Sequence, residues 1–176
     1  EQYKKQVLSQ QRYDSTTIPY KRGTILDANG SVLATSEKVY NVILDSVAIS
    51  EKEEYLEPTL SALQREFGID TASIRDYIEK NKETSRYHVL AKRLSYSEIS
   101  DFLDMQNEEG SQIKGIWFDE EYKRVYPGNS LACDVIGFTT ADNRGNYGLE
   151  EYYNDVLSGI PGREYGYLND DSDLGR

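Results

Sequence analysis

The sequence predicts an α+β fold in which antiparallel strands carry an inserted, mostly helical lobe. Three observations lead to this prediction: a hairpin signal at residues 25–33, helical spacing of apolar residues within residues 46–114, and a return to strand character at residues 113–127. The chain has 176 residues, which is enough for one body with one inserted lobe.

The N-terminal segment is predicted to contain a polar helix followed by a short β-prone stretch. Residues 3–13 offer little apolar surface, and such a helix rarely folds alone, so we expect residues 1–18 to be a helix or linker that extends from a segment upstream. Residues 15–19 are rich in β-formers and end the helix.

A hairpin is predicted around Asp27-Ala28-Asn29-Gly30. The Asn29-Gly30 pair is typical of tight turns, which need positive φ angles. The following residues 39–44 are β-branched and apolar on both faces, so we expect a central strand there.

The lobe is predicted to contain at least three helices and one strand. The first helix has one apolar face, begins near Pro58 and ends at Gly68. Asp70 is predicted to cap the next helix, and Ser95 with Glu98 forms a capping box for another. Between these helices, residues 86–93 favour a strand.

The C-terminal third returns to strands and short helices. Pro127-Gly128 is expected to end a strand, and Ser130 to cap a short helix that ends near Gly137. A single helix is predicted over residues 149–157, with Gly159 as its C-cap. Its buried face would comprise Leu149, Tyr152, Tyr153, Val156 and Leu157. Residues 162–168 read as a strand that stops without a partner, which we interpret as a sign of truncation.

These elements predict a β-rich part formed by residues 19–45 and 115–176, with residues 46–114 as an inserted lobe. The formal net charge of −11 disfavours nucleic acid and anionic lipid as partners, because their recognition needs a basic face.

The single cysteine, Cys133, lies among apolar residues and is interpreted as a buried structural thiol. A chain with one cysteine has no internal disulfide.

Catalytic patterns in the sequence are weak. Ser111 and Lys114 match the Ser-Xaa-Xaa-Lys letters of penicillin-recognising enzymes, but they precede a strand instead of opening a helix. His88 falls in a predicted strand, where a packed or surface imidazole is expected. Residues 142–146 have too short a spacing for a calcium loop and are read as a turn. We therefore predict no catalytic residue, metal or cofactor in this chain.

Three different short motifs follow one another along the chain. The first comprises Arg22, Gly23, Asp27, Asn29 and Gly30, followed by Leu33-Ala34. The second comprises Arg124, Tyr126 and Pro127, and the third Gly148, Leu149 and Glu150. This set resembles the non-catalytic N-terminal module of class B penicillin-binding proteins, which is also called a dimerisation domain. Ala28 stands where that family has arginine, so the contact made by that arginine elsewhere is left open.

The resemblance implies an elongated stem of long twisted antiparallel strands that positions a D,D-transpeptidase domain away from the membrane. It implies location on the extracytoplasmic face of the bacterial membrane, anchored through an upstream helix outside this chain. It also implies contacts with the protein's own transpeptidase domain, with a polytopic glycosyltransferase and with other cell-wall proteins. Self-association stays open, as does a role in elongation, division or sporulation.

The opposite charges in the first and third motifs lead to one structural hypothesis. We expect Arg22 to pair with Glu150, with Arg124 as a further candidate, because an arginine fork suits a bidentate carboxylate contact. The 15 tyrosines fit either ordinary packing or a docking face. A free-standing extracytoplasmic domain that binds protein or glycan is the alternative function, and a carboxylate-dependent hydrolase is a third.

Overall fold

The computed structural model describes residues 13–128, 133–168 and 174–175. Helices and antiparallel strands alternate within these ranges, which confirms the α+β class. The chain divides into two compact units: residues 36–125 form one, and the described residues on either side form the other. The second of these units, residues 36–125, contains the whole of the predicted lobe of residues 46–114, and the division into a β-rich part and an inserted lobe stays a prediction.

The described residues of the first unit form two small antiparallel sheets and three short helices. One sheet has the order β1-β8-β9, from Tyr13–Ile18, Gly162–Leu168 and Leu174–Gly175, and the other pairs β6 (Phe138–Thr139) with β7 (Gly145–Asn146). The helices are α5 (Cys133–Ile136), α6 (Gly148–Tyr152) and α7 (Asn154–Leu157).

The β2–β3 hairpin forms where it was predicted, but its turn differs. Strand β2 (Ile25–Leu26) pairs with the start of β3 (Val32–Leu44). Gly30 has a φ of 85°, whereas Asn29 lies outside the positive-φ residues, so the expected turn with two left-handed residues is wrong. The Asp27 carboxylate instead accepts the N–H groups of Asn29 and Ser31, both at 2.8 Å, and holds a longer turn.

The second unit packs helices on a sheet around one core. In this unit β3 pairs with β4 (His88–Leu94) on one side and β5 (Ile116–Val125) on the other, so the central position predicted for residues 39–44 is confirmed. The helices are α1 (Ser46–Ile49), α2 (Leu56–Phe67), α3 (Thr71–Asn81) and α4 (Tyr96–Asn107), with a 3₁₀ turn at Glu53–Tyr55.

The core of this unit is apolar and well sealed. Val42 and Leu44 on β3, Leu63 on α2 and Phe102 on α4 are completely buried. The caps predicted from sequence are confirmed: Gly68 ends α2 in the left-handed conformation, the Asp70 carboxylate caps α3, and Ser95 with Glu98 forms the capping box of α4.

Three predictions for the C-terminal third are wrong. The helix expected over residues 149–157 is broken at Tyr153 into α6 and α7, and Tyr152 and Val156 are each 80% exposed instead of buried. Ser158, not Gly159, is the C-cap of α7. Strand β8 pairs with β1 on one side and β9 on the other, so the prediction that residues 162–168 form an unpaired strand is also wrong.

Some predictions fall on residues that the structure does not describe. The polar helix of residues 3–13 lies outside the described residues up to residue 12, while Tyr13 begins β1. The Ser130 cap also lies outside them, and the side chain of Cys133 is not described.

Candidate functional site

The first-unit site is built around Arg22, which lies in the segment between β1 and β2. The N–H of Gly23 donates to the carbonyl of Leu157 at 2.8 Å, and this bond holds the segment against α7. A Cβ on Gly23 would lie 3.2 Å from Leu157 Cδ2, so a larger residue would disturb this close approach. Arg22 is consequently placed with its side chain fully buried.

Arg22 pairs with Glu150, as the sequence predicted. Arg22 Nε donates to Glu150 Oε2 at 2.7 Å, and Arg22 Nη2 donates to the Glu150 main-chain carbonyl at 2.9 Å. Both side chains have 0% exposure. The hypothesis that these two motifs pair is therefore confirmed, across 128 positions of sequence.

The remaining donors of the guanidinium reach neutral partners. Arg22 Nη1 lies 2.9 Å from Ser158 Oγ, 3.1 Å from Asn154 Oδ1 and 3.3 Å from the Asn143 carbonyl. The Tyr126 hydroxyl donates to Glu150 Oε1 at 3.4 Å. These bonds replace the water that a buried charge loses, and we call this set of residues the arginine cluster.

Sequence reasoning missed Asn143, Asn154 and Ser158. A signal for two of them was present, because Glu150, Asn154 and Ser158 repeat every four residues, a spacing that places side chains on one side of helical chain. Asn143 contributes only a carbonyl, and a main-chain contact of this kind has no residue-type signal.

The backbone comes close to the arginine cluster at Gly145. An ideal Cβ on this residue would lie 2.0 Å from the Glu150 carbonyl oxygen and 2.8 Å from Arg22 Nη2. The Gly145 N–H donates to Asn154 Oδ1 at 2.9 Å, so the same amide oxygen receives both this backbone group and the guanidinium. Glycine is required at this position because there is no room for a Cβ atom. Its φ angle does not require glycine, since it is not in the left-handed region.

Among the other residues of the first and third motifs, Asp27 lies in the turn between β2 and β3, and Gly148 and Leu149 begin α6. The exposed Asp27 carboxylate accepts backbone N–H groups, with Ser31 contributing most, and these bonds hold the pKa of Asp27 below its usual value. Gly148 opens α6 with a φ of 60°, and an ideal Cβ there would be 2.4 Å from the Val135 carbonyl oxygen. Leu149 follows it and is half-buried.

The second motif is divided between the two units. Arg124 belongs to the second unit, where its Nη1 lies 3.3 Å from Ser36 Oγ. Its suggested participation in the Arg22–Glu150 pair stays a prediction. Tyr126 belongs to the first unit and reaches Glu150, while Pro127 is exposed at the turn after β5.

The residues of weak catalytic patterns occupy ordinary structural positions. Ser111 lies in the loop between α4 and β5, where its Oγ accepts the Ile113 N–H at 3.4 Å. His88 stacks on Tyr77 with ring centroids 3.7 Å apart. Residues 140–144 form the turn between β6 and β7, closed by a bond of 2.9 Å from Thr140 N–H to the Arg144 carbonyl.

Neither a metal-binding cluster nor a membrane-spanning helix is present among the described residues. Within the described ranges, His, Cys, Asp and Glu do not gather in any group of three or more that could hold a metal. Every helix of the described chain is too short or too polar to cross a bilayer.

Comparison with known proteins identifies the family. The family model described as the penicillin-binding protein dimerisation domain matches residues 17–174, nearly the whole chain. This chain belongs to the penicillin-binding protein dimerisation domain family.

Curated relatives include D,D-transpeptidases of several bacteria. The chain is 31% identical over 146 residues to the peptidoglycan D,D-transpeptidase FtsI of Buchnera aphidicola, covering 82% of this chain and 24% of that protein. It is 32% identical over 151 residues to the probable peptidoglycan D,D-transpeptidase PenA of Neisseria meningitidis, covering 84% and 24%. The chain thus spans about a quarter of the length of the curated relatives it matches.

Solved structures of this fold extend the comparison. Penicillin Binding Protein 2X from Streptococcus thermophilus matches with a TM-score of 0.68 at 23% identity, over 92% of this chain and 26% of that one. The penicillin-binding protein PBP2 in a complex with MreC from Helicobacter pylori matches with a TM-score of 0.55 at 22% identity, over 94% and 33%. At these identities the likeness concerns the fold.

Proposed function

We propose that this chain is the non-catalytic pedestal module of a peptidoglycan D,D-transpeptidase. In this function it holds the catalytic domain away from the outer face of the bacterial membrane and contacts other proteins of cell-wall synthesis. The family match and the named relatives support the transpeptidase as the parent protein.

The arginine cluster is the observation that carries the pedestal role. Its two charged side chains, Arg22 and Glu150, are fully buried, and they bond to each other and to neighbouring main-chain and side-chain oxygens. Such an arrangement leaves no reactive group facing a substrate, and it ties the segment before β2 to the segment of α6 and α7. A module that transmits position needs this kind of rigid join between distant parts of its chain.

Partner binding is proposed by analogy with relatives. The complex of PBP2 with MreC from Helicobacter pylori supports contacts between proteins of this fold and other cell-wall proteins. We extend the proposal to a polytopic glycosyltransferase and to the protein's own transpeptidase domain, and to anchoring by a helix upstream of this chain.

The first experiment tests the division of labour. Full-length parent protein and this 176-residue chain are each incubated with a fluorescent penicillin and separated by denaturing electrophoresis. We expect covalent labelling of the parent alone. Labelling of this chain would show that Ser111 or another nucleophile here is reactive, and would overturn the non-catalytic role.

The second experiment tests the pedestal role in cells that depend on the full-length protein. We expect Arg22→Met to retain penicillin labelling of the membrane-bound protein but to fail to support growth. Lys38→Met, which removes a half-exposed surface pair, is the matched control and should support growth. Normal growth with Arg22→Met, despite a destabilised module, would contradict a positioning function and would favour a separate binding domain.

A further inference from the structure

The second unit contains an open cavity of about 360 Å³ between α2, β4 and α4. Its apolar floor is formed by Phe67, Ala91 and Leu94, and its rim carries the carboxylates of Glu66, Glu98 and Asp101. We call this feature the acidic groove. Its volume is sufficient for one large or two small apolar side chains.

The floor of the acidic groove is firmly supported. Phe67 packs against Phe102 at a centroid distance of 5.3 Å and against Phe118 at 6.5 Å, and Phe102 is completely buried in the core. Leu94 and Ala91 also pack against that core. A groove on such a floor is preformed, so a guest side chain would gain apolar contact without first ordering the site.

The rim is negatively charged. Glu98 is fixed by the Ser95 N–H and hydroxyl, both at 2.7 Å, and Asp101 follows it by three residues on α4, which places both carboxylates on one side of the helix. Glu66 is paired with Arg65 at 2.7 Å. Three carboxylates and one guanidinium leave a net charge of about −2 around an apolar floor.

We propose that the acidic groove docks a partner protein segment that presents an aliphatic or aromatic side chain beside a lysine or arginine. The apolar side chain fills the floor and the cation lies between Glu98 and Asp101. The rim repels acidic segments, and this charge selects the partner. This inference rests on the proposed function, because it locates on the module a surface for the contacts with cell-wall proteins.

The test uses the complete 176-residue chain and two defined probes. One is the acetylated, amidated tetrapeptide Lys-Leu-Trp-Lys, and the other is its counterpart Glu-Leu-Trp-Glu. Each is titrated into isotope-labelled protein while backbone amide shifts are recorded. We expect the lysine peptide to shift amides of residues 66–67, 91–94 and 97–101, and to bind at least about tenfold more tightly than the glutamate peptide.

Variants test whether the lysine peptide binds in the acidic groove or is only attracted to the negative charge of the whole protein. Ser97→Trp fills the mouth from an exposed helical position, and we expect it to abolish the shifts. Asp101→Lys should weaken the lysine peptide by about threefold or more. Glu79→Trp and Glu79→Lys, at a 75% exposed position on α3, are matched controls that should leave binding unchanged.

Several outcomes would overturn the proposal. These are shifts centred outside the acidic groove, equal affinity for the two peptides, undiminished binding by Ser97→Trp, or no saturable binding of the lysine peptide at millimolar concentration. None of them would alter the penicillin-labelling or growth results, so failure of the acidic groove is distinguishable from failure of the pedestal function.

Discussion

Arg22 shows how one residue can determine the packing of a small unit. Its guanidinium is fully buried, and an isolated buried charge would be strongly unfavourable. The Glu150 carboxylate compensates the charge, while Ser158 Oγ, Asn154 Oδ1 and the Asn143 carbonyl lie within hydrogen-bond distance of Nη1. The unit is therefore sensitive to loss of either partner of the pair, more than to loss of any surface charge.

The first prediction concerns Arg22→Met. Removing the guanidinium leaves a buried carboxylate without its counter-charge, which should destabilise the first unit by about 3–5 kcal/mol. The measurement is amide exchange at Gly23 and Gly145, whose N–H groups bond to Leu157 and Asn154. Lys38→Met, which breaks the half-exposed pair with Glu120, should cost less than about 1 kcal/mol. Equal costs for the two variants would refute a dominant buried pair.

A second prediction concerns Gly145→Ala. The new Cβ would overlap the Glu150 carbonyl oxygen, which is main chain and cannot swing aside, so we expect a loss of about 3 kcal/mol or more. Gly30→Ala is the control, because nothing lies within 4 Å of its Cβ position and only its φ of 85° opposes the change, at about 1–2 kcal/mol. Thermal unfolding of both variants checks the order, and a milder effect at Gly145 would contradict the steric argument.

At the scale of the element, α4 is specified by its own first turn. Glu98 accepts both the Ser95 N–H and the Ser95 hydroxyl, and these bonds lower the pKa of Glu98, with the hydroxyl contributing most. Because the folded-state pKa is depressed, the stabilisation is fully present above the pKa that glutamate has in the unfolded chain. It is lost as the pH falls through the lower, folded-state value.

The third prediction tests this cap through Ser95→Ala. The helix should lose about 1 kcal/mol of stability, and the pKa of Glu98 should rise towards its ordinary value because both the hydroxyl bond and the cap geometry are lost. A carbon-detected pH titration of the Glu98 side chain measures the pKa directly. An unchanged Glu98 titration in the variant would show that the cap does not hold the carboxylate.

The break between α6 and α7 is an element-scale feature that periodicity did not predict. Tyr147 precedes α6 with φ 71° and ψ 152°, a strained backbone conformation for a residue with a side chain. Neighbouring contacts maintain it, since the Tyr147 carbonyl lies where a Cβ on Gly137 would otherwise be. The chain around Glu150 is thus shaped by tertiary contacts and not by helix propensity.

At the scale of the whole molecule, two compact units have cores of different chemistry. The second unit depends on buried apolar side chains such as Phe102 and Leu63, while the first has a buried polar cluster around Arg22. Apolar burial is non-directional and tolerates partial rearrangement, whereas the polar cluster requires each bond to be made.

The fourth prediction follows from these separate cores. Phe102→Ala should lower amide-exchange protection within residues 36–125 by about 3–5 kcal/mol, because it leaves a cavity in that core. Arg22→Met should lower protection at Gly23 and Gly145 in the first unit. Residue-resolved exchange on both variants gives the comparison, and the same loss throughout the chain from each variant would show a single cooperative unit instead.

Sequence reasoning predicted the second unit better than the first. The caps at Asp70, Ser95 and Gly68 and the central strand β3 were all recognised, because each depends on side chains within a few positions. In the first unit the two charged partners, Arg22 and Glu150, were recognised from the opposite charges in the first and third family motifs. Their neutral partners, Asn154 and Ser158, were missed although they follow Glu150 at intervals of four residues, because only the apolar face of that helix was expected to be buried.

From the sequence alone one can predict the helix caps of the second unit, the central strand β3, the overall charge and the family to which the chain belongs. The break in the helix near Glu150, the exposure of Tyr152 and Val156, and the pairing of β8 on both sides arise only when distant parts of the chain come together. The difference is one of distance along the chain, because caps and turns are formed by residues a few positions apart. A buried guanidinium has to find its oxygens wherever folding brings them, here more than 120 residues away.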